Sequence, residues 1–135
     1  ELNYPNEAIK AYQLAIEIDP QKIEYQIELG DYLMTNEYYD AAEKYFVRVH
    51  EEYPKNVIAM IYLARVNRIL GNYAKSQAYA SGALKLEPKS PDANKELGLA
   101  FFYLQQNKAA NQYLKKYLDL NPIATDRQEI LNLMR

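Results

Sequence analysis

The sequence contains no cysteine. That excludes disulfides, thiolate nucleophiles and cysteine-ligated zinc, and it leaves the compartment unknown because such a chain survives in any of them. A single histidine, His50, rules out paired-histidine metal sites and leaves little room for a nucleophile–histidine triad. Four glycines and six prolines are few for an all-β protein, which needs many turns, and the glycines are too scattered to form a phosphate-cradling loop. The longest apolar run, Val57 to Ala64 counting Tyr62, falls far short of the roughly 20 residues of a membrane helix, so no membrane insertion is expected. Basic charge is not in excess either. Sixteen Lys and Arg stand against 18 Asp and Glu, a net charge of −2, which argues against nucleic acid as a partner. No signal peptide is visible and the chain opens on Glu1 rather than methionine, as expected of a processed protein or an excised piece.

What remains is 135 residues, 49% hydrophobic and 25% charged, the balance of one soluble domain. Helix formers (Ala, Leu, Glu, Lys, Gln) dominate, so an all-α fold is expected. The aromatic content is lopsided: 14 tyrosines, three phenylalanines and no tryptophan.

Four of the six prolines, Pro20, Pro54, Pro88 and Pro122, are evenly spaced along the chain. With proline at about 5% of an average sequence, three further hits in register have odds on the order of one in ten thousand. Other columns keep the step. Leu29, Leu63 and Leu97 align, followed by Gly30, Ala64 and Gly98; Ala8, Ala42, Ser76 and Ala110 are always small; Tyr45, Tyr79 and Tyr113 recur. The chain is built of repeats about 34 residues long. Within one period Met60, Leu63, Ala64, Asn67 and Leu70 form one helical stripe and Tyr73, Ser76, Ala80, Ala83 and Leu84 a second, with a break at Gly71-Asn72. The residue before each proline is barred from helix, so second helices should end one or two residues before it. Ser90-Pro91 restarts a helix with a hydroxyl cap and proline in first position.

These columns resemble the tetratricopeptide repeat (TPR), with its Leu-Gly and aromatic positions in a first helix and its Ala, Phe and Pro in a second. The resemblance covers the whole chain as a single array: a partial repeat over 1–22, repeats over 23–56, 57–90 and 91–124, and a partial repeat or capping helix over 125–135. It departs from the family in the tryptophan column, which holds Gln26, Met60 and Asn94. Tyr117 is bulky where the family keeps a small residue. The resemblance implies a right-handed superhelix of antiparallel helix pairs with first helices lining a concave groove. It also implies a protein–protein interaction module with no catalytic, cofactor or metal residues.

By that register the partner-binding groove is lined by Ile27, Asp31 and Met34 of the first full repeat, Tyr62, Arg65 and Arg68 of the second, and Lys95, Leu99, Phe102 and Tyr103 of the third. Glu96, Glu129 and Leu133 are expected there as well. The lining runs from an acidic end through a basic and aromatic middle to an apolar patch. Chaperone-binding members of the family hold a partner's terminal carboxylate with Lys, Asn, Asn, Lys and Arg at five positions. Here those positions hold Ile27, Asp31, Tyr62, Asp92 and Glu96, so that function is not implied. The alternative is a structural assembly element that self-associates or packs with flanking repeats through exposed ends. At the ends, Ala8, Tyr12 and Ala15 should show a face that a preceding helix would cover. Leu131 and Met134 should pack inward while Ile130 and Leu133 point away.

Overall fold

The computed structural model describes residues 6–134. Among them are eight helices and no strand: α1 (Asn6–Ile18), α2 (Ile23–Thr35), α3 (Tyr39–Glu52), α4 (Val57–Ile69), α5 (Tyr73–Leu86), α6 (Pro91–Tyr103), α7 (Asn107–Leu120) and α8 (Arg127–Leu133). First helices α2, α4 and α6 begin at the same position of successive repeats, as do second helices α3, α5 and α7. The second helices stop two residues before Pro20, Pro54, Pro88 and Pro122, where the proline ring excludes helical backbone from the residue preceding it. Of the expected opening segment, residues 1–5 lie outside the described residues, as does Arg135 at the other end. Ser90 accepts a hydrogen bond from the Ala93 amide at 3.1 Å, with Pro91 next to it, and Asn56 caps α4 through the Ala59 amide at 2.9 Å. Consecutive helices from α1 to α7 pack side by side, and α4 also touches both α2 and α6. The result is an α-helical superhelix with first helices in one layer and second helices in the other. No helix of the described residues is long and apolar enough to cross a membrane.

The turn inside each repeat is closed by backbone. Glu37, Gly71 and Gln105, equivalent positions of successive repeats, take left-handed φ values of 66°, 85° and 63°. The next residue's amide then reaches back five positions: Tyr38 to the Leu33 carbonyl at 2.8 Å, Asn72 to Asn67 at 2.7 Å, Gln106 to Phe101 at 2.9 Å. Only the middle copy uses the residue that adopts this conformation without a Cβ penalty. Gln105→Gly should therefore stabilise the protein by about 0.5–1 kcal/mol, and Gly71→Ala should destabilise it by about 1 kcal/mol. Urea titrations followed by far-UV circular dichroism test both. Midpoints unchanged by either substitution would show that the turn carries no strain.

Close helix contact within each repeat depends on matched volumes. A Cβ on Gly30 would lie 2.5 Å from the Phe46 ring, and one on Gly98 would lie 2.7 Å from Leu114. In the middle repeat the same two places hold Ala64 and Ala80, both fully buried. Glycine faces a large residue twice and alanine faces alanine once, so the space is filled in each case.

Only the first of the two ends meets expectation. Ala8, Tyr12 and Ala15 are half-buried, whereas Ala42, Phe46 and Val49 in the same register are buried. Tyr12 rests on α2, its ring 6.0 Å from that of Tyr32. At α8 the expected orientation is reversed. Ile130 is 3% exposed, packed with Leu99, Leu114, Tyr117 and Leu118, while Leu131 is 39% exposed. Leu133 and Met134 both lean on that same cluster. The helix buries the face that meets the preceding repeat. The leucine column needs a following second helix, and among the described residues there is none.

Candidate functional site

The first helices meet along two seams, and the predicted groove residues are concentrated there. Where the first full repeat meets the second, the Phe46 ring of α3 stacks on Tyr62 of α4, with centroids 4.7 Å apart and planes 8° from parallel. The Tyr62 hydroxyl lies beside Asp31, and the Arg65 guanidinium lies 5.4 Å from the Tyr62 ring centre. Burial and Asp31 together push the Tyr62 hydroxyl above its usual pKa, against an opposing pull from Arg65. Ile27 and Met34 are half-buried and packed around the Phe46 core. Asp31 remains exposed.

At the α4–α6 seam two arginines share one carboxylate. Arg65 donates from Nε to Glu96 Oε2 at 2.9 Å, and Arg68 donates from Nε to Oε1 at 3.0 Å. The Glu96 side chain is 0% exposed, the arginines 30% and 20%. Burial alone would lower the Arg65 pKa, but Glu96 and Asp92 outweigh it and raise it instead. The expectation of an exposed Glu96 and a freely basic middle is thus corrected. A carboxylate on a first helix is buried here because the preceding repeat supplies two partners, 28 and 31 residues earlier in the chain.

Beyond this seam α8 closes one side of a recess of about 320 Å³, to which Arg68, Lys95, Leu99 and Tyr103 contribute from α4 and α6. Leu99, expected as open lining, is 6% exposed because Ile130 and Tyr117 cover it. Tyr103 is exposed at the rim, stacked on Tyr73 at 4.9 Å, and Phe102 is half-buried with its ring edge-on to Tyr103 at 5.2 Å. Lys95 is bound to Asp126 Oδ2, and the Tyr117 hydroxyl donates to Asp126 Oδ1 at 2.6 Å. Asp126 and the inward-facing Ile130 escaped the sequence reading, although each stands one repeat after a groove-column residue, Asp92 and Glu96. His50 lies in the last turn of α3, edge-on to Tyr79 at 5.5 Å, a packing position. Among the described residues no three metal-binding side chains cluster.

Asp126 sets a pH dependence. Burial would raise its pKa, yet the hydrogen bonds from Lys95 and Tyr117 more than offset that and hold it below the usual 3.8. A depressed carboxylate stabilises the fold above its unfolded pKa and loses that contribution as pH falls through its folded value. The wild-type urea midpoint should therefore fall between about pH 5 and pH 2 by more than that of Asp126→Asn. Parallel pH profiles for the two proteins would remove Asp126 from the docking of α8.

Paired helices stacked into a superhelix with a partly open inner face define a helical-repeat interaction module. The chain belongs to the tetratricopeptide repeat family, whose profiles match residues 27–79 and 70–124, and also 1–22. No curated protein matches the sequence. Among solved structures, the first TPR of Spaghetti (RPAP3) bound to the HSP90 peptide SRMEEVD is similar. It has 22% identity and a TM-score of 0.77, with 85% of this chain and 92% of that one covered. The MamA RS-1 ArsTM double mutant is 20% identical with a TM-score of 0.82, covering 97% and 74%. The Sgt2 TPR domain from Aspergillus fumigatus is 21% identical with a TM-score of 0.76, covering 83% and 76%.

Proposed function

We propose that this chain binds a peptide or helix of a partner protein along the face built by α2, α4 and α6, as a non-enzymatic adaptor without cofactor. The observation that carries this reading is the recess between α4, α6 and α8, where Arg68, Lys95, Leu99 and Tyr103 converge beside the Asp31–Tyr62–Arg65 group. Charged, aromatic and apolar side chains lie side by side there, as they do at protein interfaces. The test is nuclear magnetic resonance mapping of a peptide selected from a random displayed library. Shift changes should fall on α2, α4 and α6; changes confined to α3, α5 and α7 would overturn the assignment.

The face is not a chaperone-type carboxylate clamp in this reading. Ile27, Asp31, Tyr62, Asp92 and Glu96 offer that terminal carboxylate no cation. The peptide SRMEEVD and its C-terminal amide should bind equally weakly. A clear preference for the free carboxylate would restore the clamp.

A second reading, a self-assembling or array-forming element, draws on the ends. Ile18 and Ile123 are highly exposed, and Leu131 is partly so. Sedimentation across a concentration series, unchanged by substitutions in the α4–α6 recess, would favour it.

A further inference from the structure

We propose that Arg65 and Arg68 together receive the carboxylate of an aspartate or glutamate side chain from the middle of a bound partner segment, an inference that rests on the groove reading above. Each guanidinium carries five N–H donors. In each, only the Nε donor is committed, to one oxygen of Glu96. The terminal Nη groups of both have no hydrogen-bond acceptor among the described residues. Glu96 is therefore a positioning residue: it fixes two arginine forks side by side and cannot itself be reached by a ligand, being 0% exposed. The arginine side chains keep part of their surface open to solvent. Forks already held in place lose little further freedom on binding.

Charge decides which anion fits. Two guanidiniums against one buried carboxylate leave one positive charge, which a side-chain carboxylate neutralises. A phosphate would bring about −2 and overshoot. Lys95 adds nothing because Asp126 occupies it. Asp92 is the exposed carboxylate that acts on Arg65, and it does so without a hydrogen bond, so it competes weakly. Asp31 is turned to Tyr62, and Glu129 lies on the far side of the recess. The site is also central rather than terminal. Ile58 and Ile61 continue the face on one side, and Tyr103 on the other. A partner chain can run through it, which selects a side chain over a chain end and apolar residues as its neighbours.

The test uses the full chain and linear peptides selected from a random displayed library, remade with acetylated and amidated ends. Affinities are measured by fluorescence anisotropy at fixed salt. Selected peptides should carry an Asp or Glu whose amide replacement weakens binding about tenfold. The neutral triad R65Q/E96Q/R68Q strands no buried charge; it should weaken the acidic peptide by a similar factor and leave the amide peptide unaffected. R65K/R68K, which keeps the charge but loses the forks, should also weaken binding, so the test survives if the triad variant unfolds. Asp92→Asn should tighten binding two- to threefold. If the amide peptide binds as well as the acidic one while Tyr103→Ala still abolishes binding, the groove reading stands and this inference falls. The inference also falls if phosphoserine is preferred at that position, or if only peptides with a free C-terminus bind. No peptide selected, or binding indifferent to Tyr103 as well, overturns both.

Discussion

Phe46→Ala should destabilise the protein by about 3–5 kcal/mol, the upper range for loss of a buried aromatic. The ring, on α3, is fully buried, fills the space that Gly30 leaves at 2.5 Å, and stacks on Tyr62 of α4. Its removal opens a cavity that neither helix can close, since both are held by further contacts. Adding Gly30→Ala to Phe46→Ala should recover part of the loss, because the middle repeat already packs Ala64 against Ala80 at these positions. Gly30→Ala alone should be harmful, as it drives a methyl group into the Phe46 ring. The sign of the Gly30→Ala effect thus reverses with the residue at 46. Urea titrations of the four proteins check this; a Phe46→Ala loss below about 1 kcal/mol, or additive effects, would discard it.

Removing Arg65 and Arg68 together as alanines should cost about 3–5 kcal/mol, far more than partly exposed arginines ordinarily contribute. The reason lies in what is left behind. Glu96, whose side chain is 0% exposed in the intact protein, would lose both of its counterions. Replacing Glu96 with Gln in that background should return at least half of the lost stability, although it deletes another charged group. Either arginine alone should be worth less, since its twin still holds the carboxylate. If the rescue fails, the loss belongs to the packing of the arginine stems rather than to a stranded charge. Unfolding midpoints at constant salt separate the two.

Most of the architecture was legible in the sequence because it is written locally and then repeated. Prolines mark the second-helix ends, and the small columns at Gly30, Ala64 and Gly98 mark close helix contacts. What escaped is written across repeats. The burial of Glu96 depends on side chains one repeat earlier, and a lone glutamate on a polar helix face reads as solvated. The pairing of glycine with a large residue and alanine with alanine is likewise a property of two columns taken together. Leu131 shows the converse error. Its column is right, but a column predicts burial only when the helix that covers it is present. Glu37 and Gln105 repeat the backbone of Gly71 without its sequence signal, so those turns cannot be read from residue type.

The two joints between successive full repeats are made of different materials. Between α3 and α4 there is aromatic stacking; between α4 and α6 there is a buried ion triad. Apolar burial weakens on cooling, whereas the desolvation penalty of charges falls on warming. In a solenoid each repeat leans only on its neighbours, so the seams can loosen separately. The array is in effect a bimetallic strip, with cold favouring separation at the aromatic joint and heat leaving the ionic joint as the last to part. Its curvature, and the width it presents to a partner, would then drift with temperature from one end rather than uniformly along its length.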